Sequence, residues 1–167
     1  SNVDQVIDSL KAGGMIADER AFRMLAERKN YSERVKPGRY RIASGTSLNA
    51  LVNTLRSGEQ EPLDLTFTNV DDLPELAGRV AHYLEGDSME FLRAFRDREL
   101  QQEEGLNEQN FISLFIPNTY EMWWTTTPQQ FVARMRKEHA SFWTEERKAK
   151  ASRYGLEPWQ VSTLASI

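Results

Sequence analysis

The residues best suited to chemistry lie close together. Asn118, Tyr120, Glu121, Trp123 and Trp124 follow an apolar run from Phe111 to Ile116 and a proline, Pro117. Glu121 is a carboxylate set among aromatics. Desolvation in such a setting raises a carboxylate's pKa, and the residue could position a substrate or hydrogen-bond a sugar hydroxyl. Tyr120, Trp123 and Trp124 offer flat faces of the kind that stack on sugar rings or fill cores. Pro117 and Asn118 suit a turn after a short extended segment. The structural alternative is a turn whose aromatics pack inward, with Glu121 bonded to nearby backbone.

Elsewhere the chain carries little of the kind. His82 and His139 are its two histidines. His82 adjoins Tyr83 and reads as a surface or boundary residue, and His139 falls between Met135 and Phe142 and reads as packing. There is no His-Glu-x-x-His, no Gly-x-Gly-x-x-Gly and no Walker loop, so no metal or phosphate site is predicted. No nucleophile elbow supports a serine triad. Cysteine is absent, which excludes disulfides and thiolate metal sites. The net charge of −4 gives no support to nucleic-acid binding. No apolar run is long enough to cross a bilayer, and no signal peptide is visible. The reading calls for no cofactor.

The 167 residues, 40% hydrophobic and 28% charged, suit one ordinary globular domain or two small ones. Val3, Val6, Ile7 and Leu10 recur at helical spacing up to Gly13-Gly14. Asp18 is an N-cap for a second helix carrying Phe22, Leu25 and Ala26. After a Pro37-Gly38 turn, Tyr40 and Ile42 alternate with arginines as in a half-buried strand. Ser47 caps a helix with Leu48, Leu51, Val52 and Leu55, stopped by Gly58. A boundary falls near the polar stretch 58–62. Leu63, Leu65 and Phe67 alternate as a strand. Asp72 caps a helix with Leu73, Leu76, Ala77, Val80 and Leu84 buried, closed by Gly86. Ser88 begins another with Met89, Leu92 and Phe95 inward, and the charged stretch 93–104 reads as a solvated helix end. Thr127-Pro128 opens a helix with Phe131, Val132, Met135, His139 and Phe142 along one face. Thr144 starts the next, which ends at Tyr154-Gly155. Glu157-Pro158 opens a last helix with Val161 and Leu164 on one side. The fold class expected is α+β: a small helix-strand module over 1–61, then a mostly helical portion over 62–167.

Several stretches resemble one known family. Phe115-Ile-Pro-Asn-Thr-Tyr-Glu121 is similar to the "F-P-[DN]-T-Y" signature of the YceG-like family, the endolytic murein transglycosylases called MltG. Val35-Lys-Pro-Gly-Arg-Tyr-Arg-Ile42 is similar to its "L-K-x-G-x-Y-x-[IL]". Residues Leu51 to Gly58 are similar to its "I-x-x-x-L-x-x-G", and Val161 to Ile167 resembles the start of its "L-A-S-I-[VI]-E-K-E". The stretches occur in the family's order and span roughly Leu10 to Ile167. Where many members carry "I-P-E-G" after the first strand, this chain reads Thr66 to Asp71, so a role for that glutamate does not transfer.

The resemblance implies a lytic transglycosylase that cuts nascent peptidoglycan strands internally and leaves 1,6-anhydro-muramyl ends. One glutamate would act first as acid and then as base. It belongs just after Ile167, so the chain reads as a truncated, inactive fragment of the enzyme with no catalytic residue of its own. Asn118, Tyr120, Glu121, Trp123 and Trp124 are then substrate-groove candidates. The first module is expected to be LysM-like, with its first strand incomplete. The implied partners are glycan strands and cell-wall synthesis proteins. The implied location is the periplasmic face of the inner membrane, held by an N-terminal anchor. Ser1-Asn2 looks like a cut edge that would have removed it. Two alternatives stand beside this reading. One is a non-catalytic module that binds glycan or a cell-envelope partner. The other follows the family's older label, aminodeoxychorismate lyase, a pyridoxal phosphate chemistry. Its Schiff base would need one of Lys11, Lys29, Lys36, Lys137, Lys148 or Lys150. All six have polar surroundings, and no phosphate-cradling loop accompanies them.

Overall fold

A computed structural model describes residues 2–68 and 70–165. The architecture is α+β and mostly helical. Helices α1 (Val3–Ala12), α2 (Glu19–Arg28) and α3 (Leu48–Ser57) come first, then strand β1 (Leu63–Phe67). Next are α4 (Leu73–Tyr83), α5 (Ser88–Phe95), α6 (Arg98–Glu103), a 3-10 turn (Phe111–Leu114) and strand β2 (Asn118–Met122). Helices α7 (Pro128–Phe142), α8 (Glu145–Arg153) and α9 (Pro158–Ala165) complete the order. The chain divides into two compact units, Ser1–Pro62 with Trp123–Thr125 and Leu63–Met122 with Thr126–Ile167.

In the first unit the helix starts are set by side-chain caps. The Asn2, Asp18 and Ser47 side chains each accept a backbone N–H of the first turn, meeting donors that have no partner inside the helix. Gly58 stops α3 at φ 76°, a left-handed conformation natural to glycine. Lys36 Nζ donates to the Ser57 carbonyl at 2.8 Å and so satisfies an acceptor at the same helix end. Ile7, Leu10, Phe22, Ala26, Leu51, Val52 and Leu55 form the core with Ile16 and Tyr31. The strand expected at Tyr40 and Ile42 is not formed. Their burial alternates with that of Arg39 and Arg41 as the pattern predicts. The segment has a backbone bond from Glu61 N–H to the Arg39 carbonyl, 2.9 Å. Among the described residues no strand of this unit pairs with it, and a strand needs a ladder.

The second unit is built on the antiparallel β1–β2 pair, with Leu65 opposite Tyr120 and Asp64 opposite Glu121. The turn expected at Pro117-Asn118 is instead the entry to β2, and the apolar run before it is a 3-10 turn rather than an extended segment. Leu63, Leu65, Phe67, Tyr120 and Met122 are buried, as period-2 alternation requires. A two-stranded sheet is marginal alone, and α4 packs on β1. Phe131 of α7 lies against Phe67, Phe91, Phe95 and Phe115, with ring centroids 6.5, 6.1, 5.8 and 6.1 Å away.

Three further local expectations are corrected. Helix α5 buries Phe91, Leu92 and Phe95, while Met89 is 53% exposed. Asp87 is the cap, and counting from it places Phe91 rather than Met89 on the face of Phe95. Helix α4 ends at Tyr83 before Gly86. The charged stretch 93–104 holds the end of α5 and all of α6, which Asp97 caps through the Glu99 and Leu100 N–H groups. Gln101 of α6 is buried and donates to the Phe95 carbonyl at 2.9 Å. That side chain links α6 to the last residue of α5.

Tyr31 gives a test of the first core. Its ring is fully buried, and its hydroxyl has no partner among the described residues. Burial, with a smaller contribution from Tyr40, pushes its pKa up to about 12. A buried hydroxyl left unbonded costs about 1–3 kcal/mol of desolvation. Tyr31→Phe removes the oxygen and keeps the ring, so it is expected to stabilise the fold by about 1 kcal/mol in urea unfolding.

Candidate functional site

The five sequence candidates are divided between the two units. Asn118, Tyr120 and Glu121 belong to the second, and Trp123 and Trp124 to the first. Trp123 is 51% exposed and Trp124 half-buried. Tyr120 is a core residue. Its ring stacks on Phe67 at 5.5 Å, and its hydroxyl donates to the Ile116 carbonyl at 2.5 Å. Burial holds its pKa up near 12, with Glu138 adding to the rise and Arg134 opposing it. Its aromatic face is thus spent on packing.

Glu121 lies on the outer face of the sheet and is exposed. The desolvation expected for a carboxylate among aromatics does not arise, because strand alternation turns Tyr120 and Met122 inward and Glu121 outward. Beside it the Thr66 and Thr119 hydroxyls share a hydrogen bond of 2.7 Å. Asp64 stands directly opposite Glu121, and like charges in that relation oppose pairing.

The second unit holds an open groove of about 1030 Å³. Its walls come from the end of β1, α4, the segment through the 3-10 turn to Pro117, the end of α7, and α8 and α9. Phe67, Leu76, Ile112, Phe115, Ile116 and Val161 give it an apolar lining. Phe142, 40% exposed, and Tyr154, 82% exposed, add aromatic faces. Its charged lining residues are Asp71, Arg147 and Lys150. Asn118, Tyr120 and Glu121 are not among its walls. The neighbouring Ile116 and Pro117 are, because the signature segment faces the groove before it enters β2.

Two groove features escaped sequence reading. Spacing puts Phe142 on the buried face of α7, but it falls on the last turn of that helix, where the core no longer covers it. Arg147 donates through Nη1 to the Phe142 carbonyl at 2.6 Å, and its guanidinium lies 4.2 Å from the centre of the Phe142 ring. A basic residue in a charged helix gives no sequence signal for such a contact.

The YceG-like family pattern matches residues 1–167. The chain belongs to the YceG-like family. A protein of Listeria monocytogenes named as yceG-like shares the fold, with a TM-score of 0.50 at 16% identity. The alignment covers 93% of this chain and 56% of that one, so the chain spans just over half the length of that neighbour. No curated protein matches it. Among the described residues no helix is long and apolar enough to cross a membrane. Nor, among those residues, does any cluster of three or more His, Cys, Asp or Glu suit a metal ion.

Two measurements follow for this family member. Replacing Glu121 with Lys turns a cross-strand repulsion into an attraction, so Glu121→Lys is expected to raise stability by about 0.2–1 kcal/mol. The gain should shrink in high salt. His139 gives a pH signature. It is half-buried, and burial lowers its pKa, with Glu104 opposing and Lys148 assisting the shift. A histidine depressed in the folded state stabilises the fold fully above its unfolded pKa of about 6.5, and that contribution is lost as pH falls. Unfolding free energy should therefore decline below that pH, and His139→Gln should flatten the decline.

Proposed function

We propose that this chain is part of an endolytic lytic transglycosylase that cuts nascent peptidoglycan strands. The observation that carries the reading is the open, aromatic-edged groove of the second unit. One wall is the segment that resembles the family's signature. Another is α9, which holds residues 161–165 of the stretch that resembles the start of the Leu-Ala-Ser-Ile motif. Ser166 and Ile167 lie outside the described residues, and the resemblance puts the catalytic glutamate directly after them.

In this reading the groove residues bind and orient, and the glutamate does the proton chemistry. Apolar side chains and the faces of Phe142 and Tyr154 suit the hydrophobic faces of sugar rings. The glutamic acid gives its proton to the glycosidic oxygen as the C–O bond breaks. The resulting carboxylate then takes the proton of the sugar's 6-hydroxyl as that oxygen closes on the anomeric carbon. No water is consumed, and a 1,6-anhydro ring remains. The first unit serves in this proposal as a LysM-like module. Glycan strands and the cell-wall synthesis machinery are the partners, and an anchor holds the whole at the periplasmic side of the inner membrane.

Trp123 favours a second reading. An indole half open to solvent is a common contact residue for a glycan or a protein partner. A non-catalytic binding module would use it without any acid.

Muropeptide analysis separates the two. Purified peptidoglycan is treated with this chain and with a longer product of the same gene. The enzyme reading expects anhydro-ended fragments from the longer protein alone. Retention of glycan strands with no such fragments from either protein would overturn it in favour of the binding module.

A further inference from the structure

The groove carries charge of a kind that a neutral sugar chain does not call for. Arg147 and Lys150 stand three residues apart on α8 and therefore on one helix face. Both line the groove, with Asp71 the one carboxylate of its lining among the described residues. Their pairing states differ. Lys150 meets Glu146 at 2.9 Å, with both side chains largely exposed, a weak and screened pair. Arg147 has no carboxylate partner among the described residues. It is nevertheless held in place by the Phe142 carbonyl and the Phe142 ring. One of its five N–H donors is used in that bond, and a planar guanidinium offers the others as a fork matched to carboxylate.

A held arginine without an acid, at the edge of an apolar groove, is complementary to a ligand that is apolar in part and carboxylate-bearing in part. Peptidoglycan has such a part. The lactyl group of each muramic acid bears a short peptide with free carboxylates, and while that amide link stands the sugar backbone is uncharged. We infer that Arg147, with Lys150 beside it, receives a carboxylate of the stem peptide and makes the groove selective for strands whose peptide carboxylates are free over uncharged strands. The inference rests on the transglycosylase reading of the groove. It makes Arg147 a specificity residue rather than a catalytic one.

The test varies the substrate before the protein. Soluble glycan strands are prepared in three forms: with stem peptides, with the peptide carboxylates amidated, and stripped of peptide with the lactyl carboxylate so exposed amidated as well. Binding to the chain is measured by titration calorimetry, and cleavage by the longer gene product is measured by release of anhydro-ended fragments. Peptide-bearing strands should bind roughly tenfold more tightly than either other form, the scale of one charge-assisted contact. The preference should fade as salt rises. Arg147→Gln should bring the three forms within about twofold of each other, and Arg147→Lys should restore part of the difference. Lys150→Gln should reduce it by less. Thermal melts of the variants check that the Phe142 contact is not needed for folding.

Equal binding of the three forms by the unaltered protein would overturn the inference while leaving the glycan reading intact. Equal loss with amidated and free carboxylates in Arg147→Gln would also overturn it, because the arginine would then be structural. If no strand binds and none is cut, the transglycosylase reading fails and the inference fails with it.

Discussion

The second unit depends on one aromatic contact set, the packing of Phe91, Phe95, Phe115 and Phe67 around Phe131. Those rings come from α5, the segment before β2, strand β1 and helix α7. Each is a local element with little stability of its own. A short helix is marginal in water, and so is a two-stranded sheet. Aromatic burial supplies what those elements lack, and ring-on-ring geometry fixes their mutual placement. Phe115 belongs to the aromatic set and also lines the groove. The core and the candidate site therefore share a wall, and a change in one is transmitted to the other by direct packing.

Much of the helical framework was legible because its signals are local. Asp18, Ser47, Asp72, Thr127 and Thr144 each cap the helix assigned to them. Strand β1 was legible from alternation alone. The errors lie where the outcome depends on a distant partner. Tyr40 and Ile42 carry the strand pattern, but no strand pairs there among the described residues. The stretch 118–122 carries turn residues, yet β1 recruits it into a sheet. Helix α6 was hidden by its charge, because the anchoring residue is a buried glutamine rather than an apolar one.

The candidate site was legible in its neighbourhood more than in its residues. The signature stretch does border the groove, through Ile116 and Pro117. Tyr120, the aromatic at its centre, is core, and Glu121 faces away from the core. Alternation within a strand sends adjacent residues to opposite faces, and a motif read as a turn conceals that division. Phe142, Arg147 and Tyr154 reach the groove from α7, α8 and the end of α8. No motif of adjacent residues could have announced them.

The bond from the Tyr120 hydroxyl to the Ile116 carbonyl has a kinetic consequence. It closes a short loop through Pro117, one end of which is embedded with Phe115 and the other in β2. The groove wall made by Ile116 and Pro117 is thus tied down on both sides. Opening it should require breaking core contacts, so the Ile116 amide proton should exchange with the slow, cooperative class of the unit rather than with frayed segments. A ligand entering such a groove meets a wall already in place and loses little chain freedom on arrival. Its association should then be limited by encounter and by water leaving the apolar floor, not by a slow rearrangement of the protein.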